Sequence, residues 1–256
     1  MHDFDEFDHL PAEELLAWGI RTFGSRFCIS TSFQQSGMVI IDMAAKISSG
    51  VRVITLDTGR LPEETYAMMD TVRSRYGLAV ETVLPNPLEV QTMVRLHGAN
   101  LFLNDPALRM LCCHVRKVRP LNRKLRQFQA YAVGLRRLTS EDRNEIRRVE
   151  DKNGVIKISP LADWTRQEIQ QYVAQHGVPV HPLYSRGFRS IGCAPCTRVV
   201  TDDEPERAGR WWWEDEKQKE CGLHFAADGT IGRKLDILIG EVSQNTNGYG
   251  FDGSGI

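Results

Sequence analysis

Residues 26–45 read RFCISTSFQQSGMVIIDMAA. A short apolar run typical of a β-strand comes first, then a turn of Ser, Thr, Gln and Gly, then an apolar helix. A strand that feeds a helix through small hydroxyl residues directs backbone N–H groups and the positive helix end towards an anion. Residues 30–37 are therefore a candidate phosphate loop. Their spacing is not that of the Walker or dinucleotide glycine patterns, so an ordinary strand–helix turn stays open.

Strand and helix patterns alternate along the rest of the chain. Strands are predicted at 51–56, 78–84 and 130–135, helices at 10–24, 62–77 and 165–177, and a charged connector at 141–154. This alternation predicts an α/β fold, with a mostly parallel twisted sheet that carries helices on both faces.

Polar residues follow two of the predicted strands. Asp57, Thr58 and Gly59 come after the second, and Arg136 and Arg137 after the fourth. Open α/β sheets place ligands at the carboxyl ends of their strands. Paired arginines there suit a phosphate or sulfate, because guanidinium groups form charge-assisted bonds to such anions; ordinary surface arginines are the alternative.

Four cysteines fall in two pairs, Cys112-Cys113 and Cys193-x-x-Cys196. The second pair places both thiols on one side of a tight turn, as structural zinc and iron–sulfur sites do. Adjacent helical residues point about 100° apart, so the vicinal pair reaches one centre only from a helix end or a distorted turn. This strained pair favours a cluster over a single zinc ion, while a zinc site or unrelated core thiols stay open.

Two further features accompany the cysteines. Lys117 lies one helical turn beyond Cys113, where an ammonium group would offset the charge of thiolates around a cluster. Cys221 differs from the other cysteines because charged residues, a glycine and His224 flank it. A thiol needs cationic neighbours and access to react as a thiolate, so Cys221 is the candidate nucleophile.

Composition limits the class of protein. The chain has 256 residues and is 41% hydrophobic, enough for a full core. Residues 107–148 hold twelve Lys and Arg against three Asp and Glu, which indicates an anionic partner or a solvated helix face. The N-terminus lacks the pattern of a signal peptide, and no apolar run reaches the ~18 residues of a membrane span. We therefore expect a cytoplasmic protein with no membrane partner, whose thiols serve as ligands or catalysts.

The expected domain organisation is simple. Residues 1–240 form a single domain whose segment from about 205, carrying Cys221, is flexible. Residues 241–256 form a glycine-rich tail, since five glycines fall among the last seventeen residues.

Four motifs, taken in order, resemble those of the assimilatory adenylyl-sulfate (APS) reductases of the sulfonucleotide reductase family. They are Cys112-Cys113-x-x-Arg116-Lys117-x-x-Pro120-Leu121, Gly192-Cys193-x-x-Cys196-Thr197, Arg207-Ala-Gly-Arg-Trp-Trp-Trp-Glu214 and Lys219-Glu-Cys-Gly-Leu-His224. Leu56-Asp-Thr-Gly59 and Gly134-Leu-Arg-Arg137 also look like the nucleotide-site motifs of that family.

The resemblance implies an adenine-nucleotide α-hydrolase-like fold with a cysteine-rich C-terminal segment. It implies a [4Fe–4S] cluster on Cys112, Cys113, Cys193 and Cys196, with Lys117 adjusting the electrostatics of the cluster. The reaction would be reduction of APS to sulfite and AMP through an S-sulfocysteine on Cys221, in sulfate assimilation and cysteine biosynthesis. No thioredoxin-like domain follows His224, so an external thioredoxin or glutaredoxin would donate the electrons.

The resemblance also implies a set of substrate contacts. These residues are Ser30, Ser32, Phe33, Gln34, Asp57, Thr58, Gly59, Arg136, Arg137, Arg207, Arg210 and His224. The family commonly has Ser-Phe-Gly in the loop, whereas this chain has Gln34 in place of the glycine.

Three alternatives remain at this stage. The first is a reductase of the 3′-phosphorylated nucleotide (PAPS), although the cluster cysteines belong mainly to family members that use APS. The second is an ATP pyrophosphatase or adenylyltransferase with a structural zinc site, which leaves Cys221 unexplained. The third is a nucleic-acid-binding protein; because no recognisable binding motif accompanies the basic block, we expect no nucleic-acid partner. Whether the chain forms a homo-oligomer is left open.

Overall fold

The computed structural model of the protein describes residues 4–137, 145–214 and 229–247. The helices are α1 Ala12–Phe23, α2 Gln35–Ile47, α3 Glu63–Tyr76, α4 Pro87–His97, α5 Pro106–Cys113, α6 Arg119–Leu125, α7 Arg166–His176 and α8 Gly229–Asn247. A π-helical segment, His114–Val118, connects α5 to α6. The strands are β1 Phe27–Ser30, β2 Arg52–Leu56, β3 Val80–Val83, β4 Ala130–Ala132, β5 Val149–Lys152 and β6 Val155–Ile158.

The six strands form one sheet in the order β3-β2-β1-β4-β6-β5. Every neighbouring pair is parallel except β5 and β6, which are antiparallel at one edge. Ile29 of β1 pairs with Val53 of β2 on one side and Ala132 of β4 on the other. The predicted mostly parallel α/β fold is confirmed.

The chain divides into two compact units. The first holds the described residues of Met1–Leu56, Arg60–Val83 and Arg123–Trp212, and the second those of Asp57–Gly59, Leu84–Asn122 and Trp213–Ile256. The sheet belongs to the first unit, whose core includes fully buried side chains from α1, β1 and α2, among them Leu15, Leu16, Ile29, Met38 and Ile41. In the second unit, α8 packs against α4 and α5.

Helix ends follow the local signals in the sequence. α7 begins with the predicted capping box, in which Thr165 and Glu168 satisfy each other's backbone N–H groups. α3 ends at Gly77, whose φ of 67° and ψ of 11° are the left-handed conformation that glycine adopts most easily. The predicted bounds of α1 and α3 agree with the structure to within two residues.

Part of the predicted connector at 141–154 is a β-hairpin, which corrects that prediction. Strands β5 and β6 meet at Asn153 and Gly154, both with positive φ (55° and 81°). Asn-Gly is a strong signal for a two-residue hairpin turn, because both central residues need that conformation. The predicted strand at 130–135 is also shorter than expected, since β4 ends at Ala132.

Helix α8 changes the expected extent of the glycine-rich tail. The helix runs through Asn247, so residues 241–247 are helical, and 248–256 lie outside the described residues. Tertiary contacts stabilise it: Val242 is fully buried, and Ser243 accepts a hydrogen bond of 2.9 Å from Arg119. Packing of this kind outweighs the weak helix propensity of a sequence that contains several glycines.

A buried carboxylate connects three helices of the first unit. Asp42 of α2 is 4% exposed and accepts hydrogen bonds from Tyr172 of α7 (2.9 Å) and Tyr76 of α3 (3.2 Å). It also pairs with Lys46 at 2.6 Å. We expect Asp42→Ala to lower the free energy of unfolding by about 2–4 kcal/mol, because it leaves buried hydroxyls without their acceptor. Urea denaturation measures this loss.

Asp42→Asn is the matched control for that substitution. An asparagine keeps the shape and one acceptor oxygen but loses the charge, so it should cost less than the alanine variant. A loss below about 1 kcal/mol in Asp42→Ala would show that the three helices do not depend on this carboxylate.

Candidate active site

The order of the strands places a ligand-binding position beside β1. The chain passes from β1 to β2 and β3 on one side, then returns to β4 on the other side of β1. In open α/β sheets, ligands bind at the carboxyl ends of the strands where the order reverses. Here that position lies between the ends of β1 and β4.

Hydroxyl groups of the loop itself and of β2 hold the loop between β1 and α2. Thr31 Oγ1 accepts a hydrogen bond of 3.0 Å from the N–H of Phe33, and the carbonyl of Thr31 accepts one of 2.9 Å from Thr55 Oγ1. Phe33 has a φ of 57° and is fully buried, so its ring packs in the core while its backbone makes the turn. A non-glycine residue in this conformation is uncommon and is typical of functional loops.

The end of β4 comes very close to the start of α2. A Cβ atom on Gly134 would lie 2.8 Å from the backbone N of Gly37 and 3.0 Å from Ser36. Only glycine permits that approach. Two predicted motifs, the loop at 30–37 and the Gly-Leu-Arg-Arg segment, are therefore adjacent in the structure, at the positive end of α2.

Gln34 connects this loop to the segment that leads into the Cys-x-x-Cys turn. Its side-chain Oε1 accepts a hydrogen bond of 2.9 Å from the N–H of Ile191, and its Nε2 donates to Ser32 Oγ at 3.1 Å. The family's usual glycine has no side chain to make either bond. Gln34 therefore positions two parts of the chain through its amide group.

The two consecutive arginines after β4 have different partners. Arg136 is buried and donates to Ser36 Oγ at 3.2 Å from its Nε, and to Glu206 at 3.1 Å from its Nη2. Arg137 donates to the carbonyl of Ile146 and forms an ion pair with Asp163. The structure therefore places Arg136 at the α2 terminus and gives Arg137 contacts elsewhere in the first unit.

Tyr184 also lies at the start of α2. Its hydroxyl accepts a long hydrogen bond of 3.4 Å from the N–H of Gln35. Burial raises the pKa of this phenol, so it stays neutral at physiological pH. The sequence analysis singled out neither Tyr184 nor Glu206. No local sequence pattern identifies a residue whose hydrogen-bond partner is 70 or 149 positions away.

The Cys-x-x-Cys turn is fixed by backbone hydrogen bonds. Cys193 and Cys196 are 6% and 7% exposed and flank a short 3₁₀ turn. The N–H of Ala194 donates to the carbonyl of Arg60 at 2.8 Å, and that of Trp211 donates to the carbonyl of Cys196 at 3.3 Å. The turn is therefore attached to the segment of the tryptophan motif.

Arg210 packs directly against this turn. It is 6% exposed, its Nη1 donates to the carbonyl of Ile191 at 3.1 Å, and its guanidinium lies 4.8 Å from the centroid of the Trp211 ring. A Cβ atom on Gly192 would clash with the Arg210 guanidinium, so a larger residue there would displace that side chain. Arg207 is only partly buried. The substrate contacts expected of both arginines stay predictions.

The vicinal cysteines lie in the second unit. For both of their thiols to reach one centre, the pair must lie at a helix end or in a distorted turn. Cys112 and Cys113 are the last two residues of α5, are 8% and 5% exposed, and immediately precede the π-helical segment. A π-helical turn shifts the direction of successive side chains relative to an α-helix. The pair thus lies at the kind of helix end from which both thiols could reach one centre, although their role as ligands stays a prediction. Lys117 lies in the same π-helical segment.

The Asp57–Gly59 turn is held by the same π-helical segment. Asp57 accepts a hydrogen bond of 2.8 Å from the N–H of Gly59, and the buried Thr58 accepts one of 2.7 Å at its carbonyl from Arg116 Nη1. Gly59 has a φ of 68°. Arg116 therefore ties a predicted nucleotide-site motif to the segment after the cysteine pair.

Some predicted residues are not tested by these observations. Within residues 4–137, 145–214 and 229–247, no three His, Cys, Asp or Glu side chains form a group that could hold a metal ion, so the four-cysteine ligand set stays a prediction. Cys221 and His224 lie outside the described residues. Ser30, the first residue of the loop, is partly buried at the end of β1.

None of the helices in the described part of the chain is long and apolar enough to cross a bilayer.

Comparison with known proteins identifies the family. The model of the phosphoadenosine phosphosulfate reductase domain matches residues 26–199. The adenosine 5′-phosphosulfate reductase of Allochromatium vinosum is 41% identical over 215 residues, which are 83% of this chain and 84% of the relative. That of Burkholderia cepacia is 47% identical over 185 residues, 71% of this chain and 74% of the relative.

A solved structure agrees with these sequence matches. The phosphoadenylyl-sulfate reductase of Candida auris, determined as a phosphate complex, is 25% identical with a TM-score of 0.64. The match covers 78% of this chain and 99% of that chain. Sheet order, loop, cysteine motifs and relatives lead to one conclusion: this chain belongs to the phosphoadenosine phosphosulfate reductase family.

Proposed function

We propose that this protein is an oxidoreductase that reduces APS to sulfite and AMP in sulfate assimilation and cysteine biosynthesis. The relatives that cover most of the chain are named APS reductases. The observation that carries the choice of APS over PAPS is the presence of both cysteine pairs, each buried at an irregular turn.

The reaction has three covalent steps. The Cys221 thiolate attacks the sulfur of the sulfonyl group, an Sγ–S bond forms, the bond from sulfur to the phosphate oxygen breaks, and AMP leaves with that electron pair. A thiolate of thioredoxin or glutaredoxin then attacks Cys221 Sγ, and sulfite leaves with the electrons of the Sγ–S bond. The second thiol of the donor resolves the mixed disulfide, so the dithiol is oxidised and supplies two electrons.

The anionic groups of the substrate need positive charge that does not move during the reaction. Arg136 supplies it beside the N-terminus of α2, where Ser36 and the first backbone N–H groups lie. Its guanidinium is paired with Glu206, which holds it in place. Arg207, Arg210 and His224 are proposed to contact the sulfate and phosphate groups from the segment that precedes and follows Cys221.

We infer that Cys112, Cys113, Cys193 and Cys196 hold a [4Fe–4S] cluster, because four buried thiols match the donor chemistry of such clusters. When bound, the cluster would supply charge and rigidity at these four thiolates. Lys117 is proposed to balance the charge of the thiolates. The fifth described cysteine lies elsewhere: Cys28 is inside β1, and burial raises the pKa of its thiol.

The choice of nucleotide is tested by competition at low concentration. With thioredoxin and its reductant present, sulfite release from APS should exceed release from PAPS by ~100-fold or more, since a site without a partner for the 3′-phosphate leaves that charge desolvated and unpaired. Sulfite and AMP are quantified from the same reaction. Faster turnover of PAPS would assign the alternative activity, and pyrophosphate release from ATP without sulfite chemistry would assign the adenylyltransferase alternative.

A further inference from the structure

The second unit contains a fully buried ion pair between Arg109 and Glu214. Arg109 Nε lies 3.1 Å and 3.2 Å from the two carboxylate oxygens of Glu214, and Arg109 Nη2 lies 2.8 Å from Oε2. The two side chains are 1% and 3% exposed. Two nitrogens of Arg109 thus bond the Glu214 carboxylate in a geometry that fixes both its distance and its plane.

Such a pair is a poor source of stability. Removing two charges from water costs about as much as their attraction returns, and apolar residues of the same volume often stabilise a fold equally well. What a buried pair does supply is a fixed relative position of the two chain segments that carry it. Each buried charge is satisfied only where the opposite charge lies within bonding distance. A fully buried pair therefore suggests that the exact placement of Glu214 matters.

The positions of the two residues along the chain show what the pair connects. Arg109 lies on α5, three and four residues before Cys112 and Cys113, on the same side of the helix. Glu214 ends the tryptophan motif and lies seven positions before Cys221. Beside Glu214, Trp213 packs against Phe102 with ring centroids 5.9 Å apart.

The chain after this segment returns to the same helix. Lys234 of α8 pairs at 2.7 Å with Asp105, which caps the N-terminus of α5. In sequence, Cys221 therefore lies between Glu214, which bonds to α5, and Lys234, which bonds to the residue that caps α5. Fixing both ends of a segment raises the effective concentration of whatever it carries near the attachment points.

We propose that the Arg109–Glu214 ion pair is a positioning device that fixes the backbone at Glu214, seven residues before Cys221. Neither residue touches substrate; the pair acts through Cys221 by fixing the backbone seven residues before it. The inference rests on the proposed function only in naming Cys221 as the nucleophile. The attachment of the Trp213–Glu214 backbone to α5 can be measured without that assignment.

The test replaces both charges with side chains of similar volume, Arg109→Met with Glu214→Met. The double variant is expected to stay folded and to bind AMP with unchanged affinity, because no nucleotide contact is altered. The rate of Cys221 adduct formation with APS should fall by about 10- to 100-fold, the effect of displacing a reacting group by roughly 1 Å. Arg109→Lys keeps the charge but not the paired geometry and should give an intermediate rate.

A second readout does not depend on chemistry. Hydrogen exchange of the Trp213 and Glu214 amides should be faster in the double variant than in the parent protein. The control is Lys157→Met with Glu150→Met, which removes a mostly buried pair at the edge of the sheet and should change neither the adduct rate nor this exchange.

Each result decides the proposal. Unchanged exchange at Trp213 and Glu214 would show that the pair is not an attachment, and faster exchange with an unchanged adduct rate would show that it does not position Cys221. Equal losses of adduct rate and nucleotide affinity would indicate general destabilisation instead. If the parent protein forms no adduct at all, the proposed function fails, and hydrogen exchange alone still decides whether the pair fixes this segment.

Discussion

Cys221→Ser is expected to abolish sulfite release from APS, with a loss in kcat on the order of 10⁴-fold or more. A serine hydroxyl is almost entirely protonated at neutral pH, whereas a thiol with cationic neighbours is substantially ionised. A hydroxyl also cannot form the Sγ–S bond on which the second step depends. The assay measures sulfite in the presence of thioredoxin and its reductant.

The control measurements for this variant are its affinity for AMP and its iron content. AMP affinity and iron content should stay at the values of the parent protein, because Cys221 is neither an anion contact nor a proposed cluster ligand. Sulfite release by Cys221→Ser at the normal rate would refute covalent catalysis by this thiol.

Cys193→Ser should reduce bound iron and sulfide to ~10% or less of the parent value, because even changes outside the ligand shell lower metal affinity 10- to 100-fold. The variant should also lose the visible absorption of an iron–sulfur cluster. Both quantities are measured on anaerobically purified protein, so they do not depend on activity.

Cys28→Ala is the matched control for that ligand variant. Cys28 is fully buried in β1, and its replacement leaves a small cavity that costs about 1–2 kcal/mol of stability. Iron and sulfide should be unchanged. Equal iron in the Cys193→Ser variant and the parent would show that the Cys-x-x-Cys turn binds no cluster.

Local sequence signals were sufficient for the parts of the fold that depend on local chemistry. The loop after β1, the capping box at Thr165 and the glycine end of α3 were all readable, because each depends on a few neighbouring residues. The parallel sheet followed from the alternation of these elements.

Among the elements that the sequence analysis did not predict are α4, the β5–β6 hairpin and α8. The strand β5 reads Val-Glu-Asp-Lys, and charges on an edge strand hide the apolar alternation that identifies strands. Only the Asn153-Gly154 pair marked the hairpin. Helix α8 contains several glycines, and it is stabilised by contacts such as that of Lys234 with Asp105, which no local pattern contains.

The candidate site shows the same division. Residue type alone identified both cysteine pairs, and the need for an irregular helix end at Cys112 and Cys113 is met by the π-helical segment. The different hydrogen-bond partners of Arg136 and Arg137 could not be predicted from the sequence. Adjacent residues with the same chemistry acquire different partners only through tertiary packing. Gln34 likewise has a partner 157 positions away.

The central claim is that Cys221 is sulfonated by APS. Its most direct test is anaerobic incubation of the parent protein, without any reductant, with APS and separately with PAPS, followed by peptide mass mapping. We predict a sulfonate adduct on the peptide that contains Cys221, formed with APS and not with PAPS. An adduct on another cysteine, or none with either nucleotide in protein that carries its full iron and sulfide, would contradict the account.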